Sequence, residues 1–153
     1  MTKRHVPVHL FGEKFMEIIP YQTKIKKLSG TKYIEIRKQT LILFNQIKRR
    51  TKRKAYIRSV YFNKQKIFFD YFWPHLMQKS LKERTRRLKY FSCAIDLARN
   101  SKVIPTSKEN VDNRNEILHR FIGQTKEKEI FFVQIKENKK NGRKYFLSCF
   151  PLK

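Results

Sequence analysis

The stretch from Glu129 to Phe150 constrains the fold more than any other part of the chain. β-branched and aromatic residues dominate Glu129 to Glu137 and again Lys144 to Phe150. The polar run Asn138-Lys139-Lys140-Asn141-Gly142 between them is a turn, and Pro151 stops the return strand. A symmetric closure sets Glu137 opposite Arg143 and Gln134 opposite Phe146. Alternation then gathers Phe131, Val133, Ile135, Tyr145, Leu147 and Cys149 on one face. The other face carries Phe132, Gln134, Lys136, Lys144, Phe146 and Ser148. The first face needs a cover of helices. The second is polar, cationic and aromatic together, which suits a surface that touches nucleotides.

The covering elements are sought upstream. Residues 1–30 read as irregular, punctuated by Pro7, Gly12, Pro20 and Gly30. Residues 31–50 read as a helix with Ile34, Leu41, Phe44 and Ile47 near one face. A hairpin is expected from Tyr56–Phe62 and Ile67–Phe69, joined by Asn63-Lys64-Gln65-Lys66. Pro74 suits the first turn of a short helix bearing His75, Leu76 and Lys79. Ser80-Leu81-Lys82-Glu83 is a capping box, in which hydroxyl and carboxylate each satisfy an orphan amide. The helix it opens sets Leu81, Leu88, Phe91, Ile95 and Ala98 in one stripe and ends near Asn100, ahead of Pro105. Thr106-Ser107-Lys108-Glu109 has the pattern of a further helix cap, and His119-Arg120-Phe121-Ile122 reads as a strand. The expectation is an α+β protein, N-terminal helices packed on a C-terminal antiparallel β-meander. A basic arm with one helix occupies 1–55 and the α+β domain 56–153.

Charge narrows the partners. The chain has 153 residues, with 37 Lys and Arg against 12 Asp and Glu, a net charge of +25. Residues 1–60 are the most basic, with 16 cationic and 3 anionic side chains. A polyanion is the implied partner, RNA first, with an acidic protein behind it. No apolar run approaches the length of a membrane span, and no signal core follows Met1–Pro7. Cys93 and Cys149 are far apart and form no CxxC, as free thiols in a reducing compartment do. The protein is therefore expected to be cytoplasmic, without a membrane partner.

Several chemistries lack their residues. Four glycines form neither GxGxxG nor GxxxxGK[ST]. Four scattered His and two distant Cys give no zinc spacing, and the carboxylates are too dispersed for a two-metal nuclease. No metal or cofactor is expected. RNA cleavage without a metal needs only a base for the 2′-hydroxyl, an acid for the 5′-oxygen and cations on the phosphoryl oxygens.

The favoured catalytic group is His119, whose ordinary pKa is about 6.5, with Arg120, Lys136 and Ser148, and Gln134 beside them. His119 and Arg120 are neighbours in a strand and point to opposite faces, so only one belongs to the site, and His119 has the better claim. Lys136 also fits a solubilising sheet lysine, Gln134 a cross-strand hydrogen bond, and Ser148 better a structural role than a catalytic one. A second cluster holds His75, a further catalytic candidate that also fits a capping or packing role, with Lys79, Arg84, Arg86 and Arg87; one helix cannot aim all three arginines the same way, and such a charged face is also simply solvated. RNA contacts are expected from Gln134, Lys79, Arg84, Arg87 and Lys144. The run Lys48–Lys54 adds Arg49, Arg50 and Arg53, and such runs are also simple solvated linkers.

The segment His119–Thr125, followed by Phe131–Lys136 and Tyr145–Pro151, resembles the sheet of the barnase–EndoU–colicin–RelE superfamily of small metal-independent ribonucleases, in its phage- and toxin-associated branches. The resemblance covers residues 56–153. It implies an endoribonuclease toxin that leaves a cyclic phosphate and is neutralised by a partner, an antitoxin or immunity protein expected to be acidic. Two other readings stay open. A non-catalytic RNA-binding protein, ribosome-associated or from a mobile element, would carry the same charge. A DNA-binding regulator would need a helix-turn-helix pair that the chain does not display.

Overall fold

The computed structural model describes residues 6–9 and 15–152, with side chains from Ile19 onward. Gly12 and the start of the chain through His5 lie outside the described residues. Strands begin early. β1 (Val6–His9) and β2 (Phe15–Ile18) pair antiparallel, and β3 (Tyr21–Gln22) follows. Next come α1 (Tyr33–Arg49), β4 (Tyr56–Ser59) and β5 (Gln65–Phe68). Three helices occupy the middle: α2 (Phe72–Met77), α3 (Leu81–Leu88) and α4 (Phe91–Asn100). The chain then runs through β6 (Thr106–Asn110), β7 (Asn113–Gln124), β8 (Ile130–Asn138) and β9 (Lys144–Pro151).

Seven of these strands make one curled sheet in the order β3-β7-β8-β9-β5-β4, with β6 also on β7. This overturns the expected layout of N-terminal helices on a C-terminal meander. Strands come from the whole chain, the helices sit mid-sequence, and the sheet is mixed. β3 runs parallel to β7, and β5 runs parallel to β9. The β7-β8-β9 meander is present, flanked on both sides by strands from the first half of the chain.

Individual elements differ from expectation for local reasons. In α1 the core-facing residues are Ile36, Thr40 and Ile47, while Ile34 is 80% exposed. The long helix expected after Ser80 is broken at Lys89-Tyr90 without glycine or proline. Tertiary contacts take over there: the Lys89 carbonyl accepts from Leu28 N–H, and the Tyr90 ring stacks on Phe131. The Ser80 hydroxyl caps α3 by accepting from Glu83 N–H at 3.2 Å, but the Glu83 carboxylate turns to Arg86 and Arg87 instead of back to Ser80. Thr106–Glu109 does not open a helix. It forms the edge strand β6, with Thr106 opposite Arg120 and Ser107 opposite His119. The tight β4–β5 connection needs left-handed backbone at Asn63 (φ 56°) and Lys64 (φ 63°), a conformation asparagine tolerates well.

The core lies between the helices and one face of the sheet. Every residue of α4 from Phe91 to Ala98 is buried, as expected for a helix covered on all sides. It joins Phe121, Phe131, Val133, Ile135, Phe146 and Cys149 of the sheet and Ile36 and Ile47 of α1 in one cluster. Phe91, Phe131 and Phe146 are fully covered, each burial contributing roughly 1.5–3 kcal/mol over exposure. No helix among the described residues is long and apolar enough to cross a membrane.

Candidate functional site

The register of the meander builds a polar row. Arg120 of β7 lies opposite Gln134 of β8, and Gln134 lies opposite Ser148 of β9. Immediately beyond, the ladder shifts between Gln134 and Ile135, so that Ile135 pairs with Phe146 and Leu147 is the extra residue of a bulge. The symmetric closure therefore does not hold. Gln134 meets Ser148 instead of Phe146, and Glu137 meets Lys144 instead of Arg143. The extra residue reverses the facing of everything between it and the turn. Phe146 goes into the core with no exposed surface, and Tyr145 joins Lys136 on the polar side. Lys144 leaves the expected open face and is buried. Its ammonium donates to Gln65 Oε1 at 2.6 Å and the Gly142 carbonyl at 2.9 Å, and lies 5.1 Å over the Phe62 ring.

Helices α2 and α3 rise beside β9 and complete the face. Phe72 and Leu76 anchor α2 in the core. His75 then shares a small cleft with Arg87, Leu147 and Ser148. Burial lowers the pKa of His75, and the charges of Lys79, Arg87 and Lys136 lower it further. Burial and the charges of these three cations together favour the neutral imidazole. Arg87 is oriented by Glu83 at 3.0 Å and lies 5.3 Å over the Phe150 ring. Partial burial works to raise the Glu83 pKa, but the hydrogen bond from Arg87 and the charges of Arg86 and Arg87 prevail and hold it low. Arg120 lies 5.5 Å over Phe150 and 5.8 Å over Phe132, and burial lowers its pKa. Lys136 is 3.7 Å from the Tyr71 ring centre and 3.3 Å from Glu116. A groove of about 550 Å³ continues from this face between Lys79, Arg86 and Arg87 on one side and Phe132 and Phe150 on the other.

The structure thus brings together His75, Lys79, Arg87, Arg120, Gln134, Lys136 and Ser148. It places the remaining candidates elsewhere. His119 lies on the opposite face from Arg120, 8% exposed and held at both ring nitrogens. Nδ1 is 2.7 Å from the Ser107 hydroxyl, Nε2 is 2.8 Å from Glu137, and Phe62 meets the ring edge-on. By contrast, the side chains of His75, Gln134 and Ser148 make no hydrogen bond among the described residues. Arg84 donates to the carbonyls of Met77 and Lys79 and so ties α2 to α3. Arg49, Arg50 and Arg53 are exposed around the C-terminal end of α1.

Sequence reasoning missed Tyr71 and Tyr145, whose rings meet edge-on at 4.8 Å beside Lys136. The aromatic run Phe68–Trp73 was the available signal for Tyr71, whereas Tyr145 depended on the bulge. Among the described residues, no three His, Cys, Asp or Glu side chains converge as metal ligands. Burial pushes the Cys149 thiol up to about 12 and also raises that of Cys93, which makes neither a ready nucleophile. Comparison with protein-family models, curated proteins and solved structures finds no match to this chain.

Proposed function

We propose that this protein is a metal-independent endoribonuclease acting through the face that carries His75. The observation behind this reading is a histidine whose side chain makes no hydrogen bond among the described residues, in one small cleft with Ser148 and Arg87, its pKa lowered by burial and by the charges of Lys79, Arg87 and Lys136. Such an imidazole can take the 2′-hydroxyl proton. The 2′-oxygen attacks phosphorus, the bond to the 5′-oxygen breaks, and the products are a 2′,3′-cyclic phosphate and a 5′-hydroxyl. Arg87 and Arg120 are suited to hold the non-bridging oxygens, with Gln134 and Ser148 as neutral donors. Lys79 is the acid assigned to the departing 5′-oxygen. The rings of Phe132 and Phe150 offer a surface for bases, under guanidinium groups that also contact phosphate.

A nuclease of this kind works in the cytoplasm and requires restraint, and a net charge of +25 favours an acidic inhibitory protein. The test is incubation of purified protein with total RNA in EDTA, beside the His75→Ala and His119→Ala variants. The reading expects cyclic-phosphate ends from the parent and from His119→Ala, and none from His75→Ala. Tight RNA binding without cleavage by the parent would instead indicate a non-catalytic RNA-binding protein.

A further inference from the structure

A second cationic feature shares no residue with the His75 face. The C-terminal half of α1 and residues 92–100 of α4 line a cavity of about 260 Å³. At roughly 30 Å³ per water this is room for about nine waters, the scale of one planar heterocycle. Leu43, Ile47 and Ile95 give it apolar walls, and Arg50 and Arg99 stand at its edge. Among the described residues neither guanidinium makes an ion pair with a carboxylate, although the charge of Asp96 acts on Arg99. Asp96, the one acid lining the cavity, is already engaged: Oδ1 accepts from the Tyr21 hydroxyl at 2.9 Å and Asn100 Nδ2 at 2.9 Å, and Oδ2 accepts from Lys24 N–H at 2.8 Å. Burial lowers the pKa of Arg99 and the charge of Arg50 lowers it further, against the opposing pull of the Asp96 carboxylate. The cavity thus presents two guanidinium groups beside a single acid whose oxygens already accept from other donors, an arrangement with room for a further anion.

The walls and rim indicate which anion. Apolar walls with the amides of Gln46 and Asn100 at the opening suit a flat base with polar edges. The cavity also opens beside the exposed basic run that starts at Lys48, which can follow a phosphate backbone. We propose that this cleft is a second nucleotide-binding site, holding one unpaired base of single-stranded RNA with the adjoining phosphate between Arg50 and Arg99. The proposal rests on the reading of the protein as RNA-binding and deepens it: substrate is gripped at a point separate from where it is cut.

The test titrates adenosine 5′-monophosphate, inorganic phosphate and a glutamate-rich peptide into the full chain, reading the methyl resonances of Ile47 and Ile95. The nucleotide should shift both saturably, and phosphate alone should do so more weakly. Arg99→Met should weaken nucleotide binding by about ten- to a hundredfold. For a single-stranded RNA spanning both sites, the slope of log affinity against log salt should fall by about 0.7. Cleavage of a dinucleotide, too short to reach the cleft, should be unchanged. Absence of methyl shifts with the nucleotide overturns the proposal. So does a response to the acidic peptide alone, which would make the cleft a docking point for an acidic protein. Nucleotide binding in a protein that cuts no dinucleotide supports the cleft and refutes the nuclease reading, so the two fail separately.

Discussion

Replacing His119 by alanine separates a stabilising histidine from a catalytic one. The substitution removes hydrogen bonds to Ser107 and Glu137, each worth roughly 0.5–1.5 kcal/mol net. It also removes the edge contact with Phe62, worth roughly 0.5–1.5 kcal/mol. Glu137 is not stranded by the change, because Lys144 stays 3.9 Å from its other oxygen. The expected loss is therefore roughly 1.5–4.5 kcal/mol. For a chain of this size that is a fall in melting temperature of roughly 3–18 °C. Urea titration followed by circular dichroism measures the loss. Cleavage assayed well below the transition should be near the parent's rate, since neither ring nitrogen faces the row of Arg120, Gln134 and Ser148. A variant with unchanged urea midpoint and no turnover would refute this reasoning and return catalysis to His119.

The remaining predictions concern packing, titration and reactivity. A Cβ at Gly123 would stand 2.5 Å from the Phe131 ring and 2.7 Å from Leu97, so Gly123→Ala should cost about 1–3 kcal/mol by overpacking, measured by thermal unfolding. The folded-state pKa of His75 lies below its unfolded value of about 6.5, so the unfolded chain binds more protons between the two. Stability from this group is complete above about pH 6.5 and is lost as pH falls through the folded value. Unfolding titrations across pH should show the decline in the parent and a flatter curve in His75→Gln, and the acid limb of kcat/KM should also fall below pH 6.5. Finally, iodoacetamide at pH 8 should leave Cys149 unmodified in the native protein and label it only after unfolding, as mass spectrometry of the labelled peptide would show.

The last hairpin was legible because its period-2 pattern is local, and both strands appear within one or two residues of their expected limits. The bulge at Leu147 was not, since no glycine or proline marks it and only the packing of Phe146 into the core requires it. β3 has two residues and exists because β7 offers an edge beside Gly123 and Gln124, which no local pattern near Tyr21 reveals. The same holds for β6, where a sequence resembling a helix cap yields to pairing with β7. On the candidate face, alternation sets Gln134 and Lys136 on the same side of β8, as the register has them. The choice between His119 and His75 depended on which face the helices cover and where α2 docks, and both are decided by contacts distant in sequence.

The parallel pairing of β9 with β5 also bears on when the polar face comes into being. Phe68 must wait for Tyr145, so the sheet closes only after most of the chain has been made. Pairings between such distant segments carry a large loop-closure entropy and form slowly. During synthesis, a strongly cationic chain emerges beside ribosomal RNA with β4, β5 and the helices already available, but with neither Ser148 nor the bulge that orients its neighbours. The polar face is thus assembled last, by a strand inserted between two others, and emergence of the chain is separated in time from completion of the surface proposed to meet RNA.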